Sequence, residues 1–299
     1  MRIFVTGATG FIGSAVVSEL LSAGHEVLGL ARSDEAADSL LKVGASVHRG
    51  SLDDLESLRS GAEASDGVIH TAFNHDFSNM AAAGETDQRA IQTFGAALAG
   101  SGRPLVVTSV IAHLAPGRIG TEEDATDGNT AGKHRIASEE DALALASQGV
   151  RVSVLRLPPS VHGDGDRGGF VPALINAARR TGAAAYVGEG SNCWSAVHRL
   201  DAARLYRLAL ESAPAGSKLH AIGEEGVSIR ELAQVIGRRL ELPVISKSME
   251  EAPGHFGWLA HFASQNIQAS SQLTQELLGW KPEHAELLRD LEGDYYFKN

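Results

Sequence analysis

The spacing of hydrophobic residues in the first half of the chain alternates between two patterns. Short apolar runs, typical of strands buried in a parallel sheet, are separated by segments in which apolar residues recur every three or four positions, typical of helices. The strand-like runs are Arg2 to Val5, His25 to Ala31, Ser46 to His48, Gly67 to Thr71, Pro104 to Ser109 and Arg151 to Leu157. The helix-like segments are Ile12 to Leu21, Asp34 to Val43, Asp53 to Glu63, Thr86 to Ala99 and Ser138 to Gln148. This alternation predicts an α/β fold with a doubly wound parallel sheet that binds ligands at the carboxyl ends of its strands.

After Leu157 the pattern changes, beginning with Pro158-Pro159 and a loop rich in Gly and Asp at residues 163–169. The predicted helices of this part are Phe170 to Arg180, Leu200 to Ser212, Ser228 to Leu240, Leu273 to Trp280 and His284 to Leu291. Ser228 and Glu231 have the spacing of a capping box. We expect a dinucleotide-binding domain over 1–157 and a smaller lobe over 158–299, partly interleaved because the helix from Leu200 can pack back on the sheet.

A glycine-rich turn joins the first predicted strand to the first predicted helix. Gly7 allows a tight turn, Gly10 allows the backbone to approach a pyrophosphate, and Gly13 lets the helix pack closely on the strand. The N–H groups at the start of that helix, around Thr9, Phe11 and Ile12, then face the phosphates. The segment therefore predicts a dinucleotide site.

The end of the second strand indicates which dinucleotide binds. Ala31 occupies the place where an acid would bind the adenine ribose, and Arg32, followed by Ser33, brings a guanidinium suited to a 2′-phosphate. NADP(H) is therefore favoured. Asp34 keeps NAD(H) as the alternative.

The amino-acid composition indicates which kinds of binding partner to expect. The chain has 299 residues, a formal net charge of −11 and one cysteine, Cys193. The acidic balance argues against nucleic acid and anionic membranes, and a single cysteine argues against a thiol metal site and fits a reducing compartment. No apolar run has the length of a membrane span. We expect a cytoplasmic protein with a small-molecule substrate and no metal, with a homodimer as the general prior.

These motifs resemble the extended short-chain dehydrogenase/reductase family, which includes nucleotide-sugar epimerases and dehydratases. The residues that carry the resemblance are Thr6 to Gly13, Gly50-Ser51-Leu52, His70-Thr71-Ala72, Thr108-Ser109 and Leu157 to Gly163. The resemblance implies cofactor contacts at Ser51, Leu52, Thr71, Ala72, Pro158 and Ser160. Ser51 replaces the acid that usually contacts adenine.

The family's catalytic pair is incomplete. Its tyrosine and lysine should fall at Ala131 and Arg135, with Glu139 as the anchor. The tyrosine is missing, so the chain resembles an atypical branch of the family. Arg135 can orient the nicotinamide ribose but cannot deliver a proton. The alternative for Arg135 is a helix-surface ion pair with Glu139 at i, i+4.

Without the tyrosine, another group must bind the substrate oxygen and supply a proton. Ser109 matches the family serine and is the first candidate as hydrogen-bond donor. A hydroxyl is a poor acid near neutral pH, so a neighbouring base should be coupled to it. The candidates are His113, Lys133 and His134 nearby and His162 and His198 farther along the chain.

These features favour an NADP(H)-dependent oxidoreductase acting on a small, largely uncharged carbonyl or alcohol. A cofactor-binding sensor without chemistry and an NAD-dependent sugar-nucleotide epimerase or dehydratase are the alternatives. The last is weakened because a diphosphate needs basic partners and the second lobe offers few, namely Arg179, Arg180 and Arg199. Trp194, Phe256, Trp258 and Phe262 are expected either in the core or as a lid or pocket wall.

Overall fold

The structure is a computed structural model that describes residues 1–74, 79–130 and 132–298. In this part of the chain the strands are β1 (Arg2–Thr6), β2 (Glu26–Ala31), β3 (Ser46–Arg49), β4 (Gly67–His70), β5 (Pro104–Val110), β6 (Arg151–Leu157), β7 (Ser160–His162), β8 (Ala184–Val187), β9 (Cys193–His198), β10 (Ser217–His220), β11 (Glu224–Ser228) and β12 (Val244–Lys247).

The helices of the same residues are α1 (Phe11–Ser22), α2 (Asp34–Lys42), α3 (Leu55–Glu63), α4 (Met80–Leu98), α5 (Ile136–Ala144), α6 (Phe170–Thr181), α7 (Arg199–Ser212), α8 (Ile229–Leu240), α9 (Ala252–Phe256), α10 (Ala260–Ala263), α11 (Gln272–Leu278) and α12 (Leu287–Asp290). Short 3-10 segments precede and follow α5, at Lys133–Arg135 and Leu145–Gln148. None of the described helices has the length and hydropathy needed to cross a membrane.

Seven parallel strands form the central sheet in the order β10-β6-β5-β4-β1-β2-β3. Successive side chains of a strand point to opposite faces, so Ile3 and Val5 pack in one core with α1 and α7. Phe4 packs in the other, with α3, α4 and α5. The predicted doubly wound parallel α/β fold is confirmed. It brings the carboxyl ends of β1 to β6 to one edge.

The later residues contribute both to this sheet and to a second core. Strand β10 extends the central sheet next to β6, and α7 lies on the sheet face beside α1. A three-stranded sheet, β11-β9-β7, and a two-stranded sheet, β12-β8, cover the second core together with α6 and α8. Ile111 and Leu114, which follow β5, also belong to that core.

Several predicted boundaries are wrong, for local reasons. Helix α4 starts at Met80 rather than Thr86, because Asn79 caps it by accepting the Ala82 N–H. Helix α3 is capped by Asp54 rather than Asp53. Only Leu287–Asp290 of the segment predicted from His284 is helical. The capping box of Ser228 and Glu231 is confirmed.

Asp201 in α7 attaches the C-terminal segment to the sheet domain. Its buried carboxylate accepts the backbone N–H groups of Glu283 and His284, both at 3.0 Å, and lies 2.8 Å from His284 Nδ1. The Asp201 carbonyl accepts the Trp280 indole N–H at 3.0 Å. A single residue thus fixes the path of the chain between α11 and α12.

Replacing Asp201 by alanine should destabilise the fold, because backbone donors near a buried position lose their acceptor. We expect D201A to lower the free energy of unfolding by about 2–3 kcal/mol, since unpaired buried polar groups cost on that scale. Urea denaturation measures the change. The control is D53A, because the Asp53 side chain is 81% exposed and lies 3.9 Å from Arg89, a weak surface pair. Equal stability of the two variants would contradict the anchoring role.

Candidate functional site

The glycine-rich turn between β1 and α1 leaves no room for side chains. Gly7 has φ +67°, and a Cβ at this position would lie 2.7 Å from the Ala72 nitrogen. A Cβ on Gly13 would lie 2.0 Å from the Gly7 carbonyl oxygen. Both contacts are far below van der Waals distance, and the clashing atoms are backbone. The turn therefore forms a cradle in which backbone rather than side chains meets a ligand.

The first turn of α1 is built to receive an anion. Its N-cap is Gly10, which supplies no side-chain cap, and the turn contains no acidic residue. The free N–H groups and the helix dipole create positive potential at this end. Phe11 and Ile12 lie there half-buried, and Thr9 and Gly10 are exposed. These residues fit a dinucleotide pyrophosphate, the group predicted from the sequence.

Thr6, His70 and Asp87 connect this cradle to β4 and α4. The Ala72 N–H is donated to Thr6 Oγ1 at 3.3 Å, and the Thr71 hydroxyl to the Thr6 carbonyl at 2.8 Å. His70 Nδ1 lies 2.7 Å from Thr6 Oγ1, and His70 Nε2 lies 3.1 Å from Asp87 Oδ1. Since an ionised carboxylate only accepts, His70 donates from Nε2 and accepts from Thr6 through Nδ1. The predicted contact residues Thr71 and Ala72 are thereby held against the cradle.

Asp87 is also the partner of Arg135. The two lie 3.3 Å apart between Oδ1 and Nη1, both almost fully buried. Although burial by itself raises the pKa of Asp87, the charge of Arg135 and the hydrogen bond from His70 lower it overall. Asp87 therefore stays ionised and balances the guanidinium charge.

Arg135 lies at the carboxyl edge of the sheet. Its Nη2 donates to the Thr108 carbonyl at 2.6 Å, and its guanidinium carbon is 4.1 Å from the centre of the Phe73 ring. The alternative interpretation, a surface ion pair with Glu139, is wrong because Arg135 is buried and pairs with Asp87. Whether Arg135 orients a nicotinamide ribose stays a prediction.

Glu139 is the centre of a second buried group. The Ser109 hydroxyl is donated to Glu139 Oε2 at 2.6 Å, and His113 Nε2 lies 2.7 Å from the same oxygen. Arg156 in β6 pairs with Oε1 at 2.5 Å. Burial raises the pKa of Glu139, but the hydrogen bonds from His113 and Arg156 outweigh it and hold that pKa well below its usual range. Glu139 therefore stays an ionised acceptor.

The structure brings the predicted Ser109 and His113 together but directs both inward. Their side chains lie 3.0 Å apart, and they are 2% and 0% exposed. In a serine-hydrolase triad the serine and the carboxylate bond to different ring nitrogens. Here both bond to Nε2, and His113 Nδ1 is buried without a partner among the described residues. This geometry does not activate Ser109 as a nucleophile, and its role as a donor to a substrate stays a prediction.

Position 131, where the family tyrosine would fall, lies outside the described residues. Lys133 and His134 occupy the following 3-10 turn, with Lys133 exposed and His134 half-buried. The His134 ring lies 5.9 Å from the Phe73 ring, which Arg135 also contacts. Of the candidate bases, His134 therefore lies beside Phe73, in the segment that follows β4.

The more distant histidines have other partners. His162 is buried in β7 with Nδ1 2.7 Å from Asp290. His198 caps α7 by accepting the Leu200 N–H at Nδ1, and burial, with the neighbouring His162, lowers its pKa to about 4.

His198, Asp201 and His284 form a group whose spacing could hold a metal ion. The two imidazole rings are stacked with their planes 9° apart, so their lone pairs do not converge on one point. Both Nδ1 atoms and both Asp201 oxygens already have hydrogen-bond partners. We assign this group to helix capping and lobe attachment.

The predicted adenine-side residues follow β2 and β3. Arg32 is exposed, and the Ser33 hydroxyl caps α2 by accepting the Ala36 N–H. Asp34, the residue that kept NAD(H) as the alternative, lies 2.5 Å from Arg49. Ser51 and Leu52 lie half-buried in the loop before α3.

Pro158 directly follows β6, and Ser160 is the first residue of β7. Both are buried, and Ser160 Oγ has no hydrogen-bond partner among the described residues. An unpaired buried hydroxyl beside the predicted nicotinamide position fits a ligand group there.

The aromatic residues divide between core and surface. Trp194 and Phe256 are buried in the second core, whereas the Trp258 side chain is 45% exposed. Phe170 packs between Trp194, Trp258 and Phe262, with ring centres 4.9–5.6 Å apart. Of the two expectations for these aromatic residues, a core position therefore applies to Trp194 and Phe256, whereas Trp258 is exposed enough to form part of a pocket wall.

Sequence reasoning missed most of the partners in the two buried groups. Asp87 lies within a helix, and Arg156 and His220 lie within strands that contribute to the core. An available signal was Arg156, a charged residue between two leucines of a buried strand, since an unpaired charge is rarely buried.

Comparison with known proteins places the chain among nucleotide-cofactor enzymes. The model of the NAD dependent epimerase/dehydratase family matches residues 3–223. An uncharacterised protein of Schizosaccharomyces pombe is 53% identical over 99% of this chain and 100% of its own length. The 4-hydroxy-2-methyl-3-oxo-4-farnesyl-3,4-dihydroquinoline-1-oxide ketoreductase of Stigmatella aurantiaca is 27% identical over 86% of this chain and 80% of its own. Among solved structures, the dTDP-glucose 4,6-dehydratase of Streptomyces venezuelae with NAD bound shares the fold at a TM-score of 0.80, with 21% identity over 100% of this chain and 98% of its own.

The close packing at Gly13 predicts that one added methyl group strongly weakens dinucleotide binding. G13A places its Cβ against the Gly7 carbonyl, so either the turn or α1 must shift and the phosphate-facing N–H groups lose their arrangement. We expect at least a roughly 100-fold weaker Kd for the dinucleotide, since several charge-assisted hydrogen bonds are affected together. Calorimetric titration measures it. G254A is the control, because Gly254 lies in the second lobe, has no positive φ and has no atom within 4 Å of the added Cβ; wild-type affinity in G13A would contradict the cradle.

Proposed function

We propose that this chain, which belongs to the NAD-dependent epimerase/dehydratase family and is an NAD(P)-dependent oxidoreductase of its atypical type, uses NADP(H) on a small, largely uncharged carbonyl or alcohol. Membership confirms the resemblance inferred from Thr6 to Gly13. The observation that carries the proposal is the backbone cradle at Gly7 and Gly13, placed beside a substrate edge whose buried charges are balanced.

The preference for the phosphorylated cofactor is supported by the charges after β2. Arg32 is exposed at the end of the strand, where the adenine ribose lies in this architecture. The carboxylate that could bind a ribose diol, Asp34, lies 2.5 Å from Arg49 in an exposed pair, so part of its charge is offset. Arg49 and Asp34 offset each other, and Glu35 follows in the first turn of α2. The preference therefore rests on Arg32 itself, whose guanidinium suits a 2′-phosphate.

The substrate edge supports an uncharged reacting group. Arg135 is neutralised by Asp87, and Arg156 by Glu139, so neither cation is left to attract a charged substrate. A cavity of about 50 Å³ beside the end of β5 is lined in part by Ala112, Asn129 and Thr130, directly before position 131. This space fits a small group, and its lining offers an amide, a hydroxyl and the guanidinium of Arg118, whose charge is balanced by Asp124.

When bound, the nicotinamide supplies or accepts the hydride, so the protein must orient the substrate and move one proton. We assign orientation of the cofactor to Arg135, which keeps its proton. We assign the proton to His134, directly or through water, because the Ser109 hydroxyl is donated to Glu139 and His113 shares that acceptor. In this arrangement Ser109 and His113 position the end of β5.

Turnover and cofactor preference are tested by assaying a panel of aldehydes and ketones with NADPH and with NADH. The reaction is measured as the loss of absorbance of the reduced nicotinamide. We expect R32Q to lower kcat/KM for NADPH by about 10- to 100-fold, the size of one to two lost charge-assisted bonds, and to leave the value for NADH unchanged. R59Q, which removes an equal charge from the surface of α3, should resemble the wild type. Equal use of both cofactors by the wild type would contradict the NADP preference, and cofactor binding without turnover would contradict the assigned reaction.

The role of His134 predicts a loss of rate without a loss of binding. We expect H134Q to lower kcat by about 100-fold, a typical contribution of general acid catalysis, and to remove the decline of the wild-type reduction rate as pH rises through the histidine range. The Kd for NADPH should not change. H261Q is the control, because His261 is an exposed histidine on α10. A wild-type pH profile in H134Q would assign the proton to another group.

A further inference from the structure

The second lobe contains a cavity of about 540 Å³ that the proposed reaction does not use. It lies between the loop that precedes α6, the outer face of α6 and the segment around α9. None of its lining residues belongs to the predicted cofactor or catalytic set. Its size is within the range of small-molecule sites.

One wall of this cavity is polar and cationic. Ala173, Asn176 and Arg180 follow one another at i, i+3 and i+7 on α6, which places them on a single helix face. Arg167 joins them from the preceding loop. Neither guanidinium lies within 4 Å of a carboxylate in the described part of the chain, although Arg180 donates to the His255 carbonyl at 2.6 Å.

The opposite wall is aromatic. Phe256 and Trp258 line it, and the Trp258 ring is packed edge-on against Phe170 at 5.6 Å between ring centres. Trp258 is nevertheless 45% exposed, whereas Trp194 and Trp280 are fully buried. A large aromatic surface that remains open beside two cations is typical of a ligand site.

The charge of this cavity differs from that of the whole protein. The chain has 37 acidic and 26 basic residues, yet the lining contains two arginines and no carboxylate. Concave surfaces lined by one sign of charge concentrate ligands of the opposite sign. The complementary ligand is therefore an anion with an apolar body.

We propose that this cavity is a binding site for a small amphipathic anion. Its aromatic or aliphatic body would lie on Trp258 and Phe256, and its carboxylate, sulfonate or phosphate would bind Arg167 and Arg180 with help from Asn176. Its lining shares no residue with the dinucleotide cradle, so the proposal goes beyond the proposed function and stands without it.

The test uses the full chain and 8-anilinonaphthalene-1-sulfonate as the probe, monitored by its own fluorescence and by quenching of tryptophan emission. We expect saturable binding that weakens as salt is added, because the guanidiniums are exposed. N-phenyl-1-naphthylamine, the same aromatic skeleton without the sulfonate, should bind at least about tenfold more weakly, as expected for a lost charge-assisted contact.

Variants locate the probe. R167Q removes a guanidinium that has no carboxylate partner in the described structure, so it should fold normally and weaken binding of the sulfonate by about tenfold. R180Q should have a similar effect. R179Q is the matched control, because Arg179 is the adjacent residue of α6, donates to the Phe297 carbonyl at 2.9 Å and does not line the cavity.

Four results would overturn the proposal. If R167Q and R180Q bind the probe as the wild type does, or if the neutral analogue binds equally well, the cavity is not an anion site. If saturating NADPH displaces the probe, or G13A abolishes its binding, the probe occupies the dinucleotide cradle instead. Retention of probe binding by G13A, with loss in R167Q, is the result that we expect.

Discussion

The ionised carboxylate of Glu139 holds together the elements around the candidate site. It joins α5 to β5 through Ser109, to the turn after β5 through His113, and to β6 through Arg156. Arg156 in turn lies 3.3 Å from His220 of β10, which extends the sheet. Removing one partner of a buried pair typically costs about 3–5 kcal/mol, because the remaining charge is left without compensation. The position of the carboxyl edge of β5 and β6 therefore depends on this group.

The same constraint limits the chemistry of the site. The Ser109 hydroxyl is donated to Glu139 at 2.6 Å inside the protein, so it would have to give up a charge-assisted hydrogen bond before it could donate to a substrate. Asp87 acts in a parallel way on the cradle side, since it anchors His70 and Arg135 and stays ionised. The buried groups of the site thus hold the backbone of β4, β5 and β6 in place, and our proposal assigns the proton to His134, outside these groups.

Charge is distributed unevenly between these regions. At the candidate site, Arg135 pairs with Asp87 and Arg156 pairs with Glu139, so the net electrostatic potential of these buried groups is small. Arg32 after β2, and Arg167 and Arg180 in the second lobe, are exposed on an acidic protein. We expect local cationic positions of this kind to decide which anionic ligands bind, because the overall negative charge of the protein repels such ligands.

The sequence by itself determined the features that depend on neighbouring residues. The glycine spacing from Gly7 to Gly13, the alternation of strands and helices, and the cap of α8 are set by local backbone requirements, and each was predictable. The order of strands beyond β6 was not, because β10 is joined to its neighbour β6 across about 60 residues. Tertiary structure alone also decided three features of the side chains. Ser109 points into the protein, Arg135 pairs with Asp87 rather than with Glu139, and Trp258 lines a cavity. They depend on which buried charges and rings meet across elements distant in the chain, and spacing along the chain does not encode those distances.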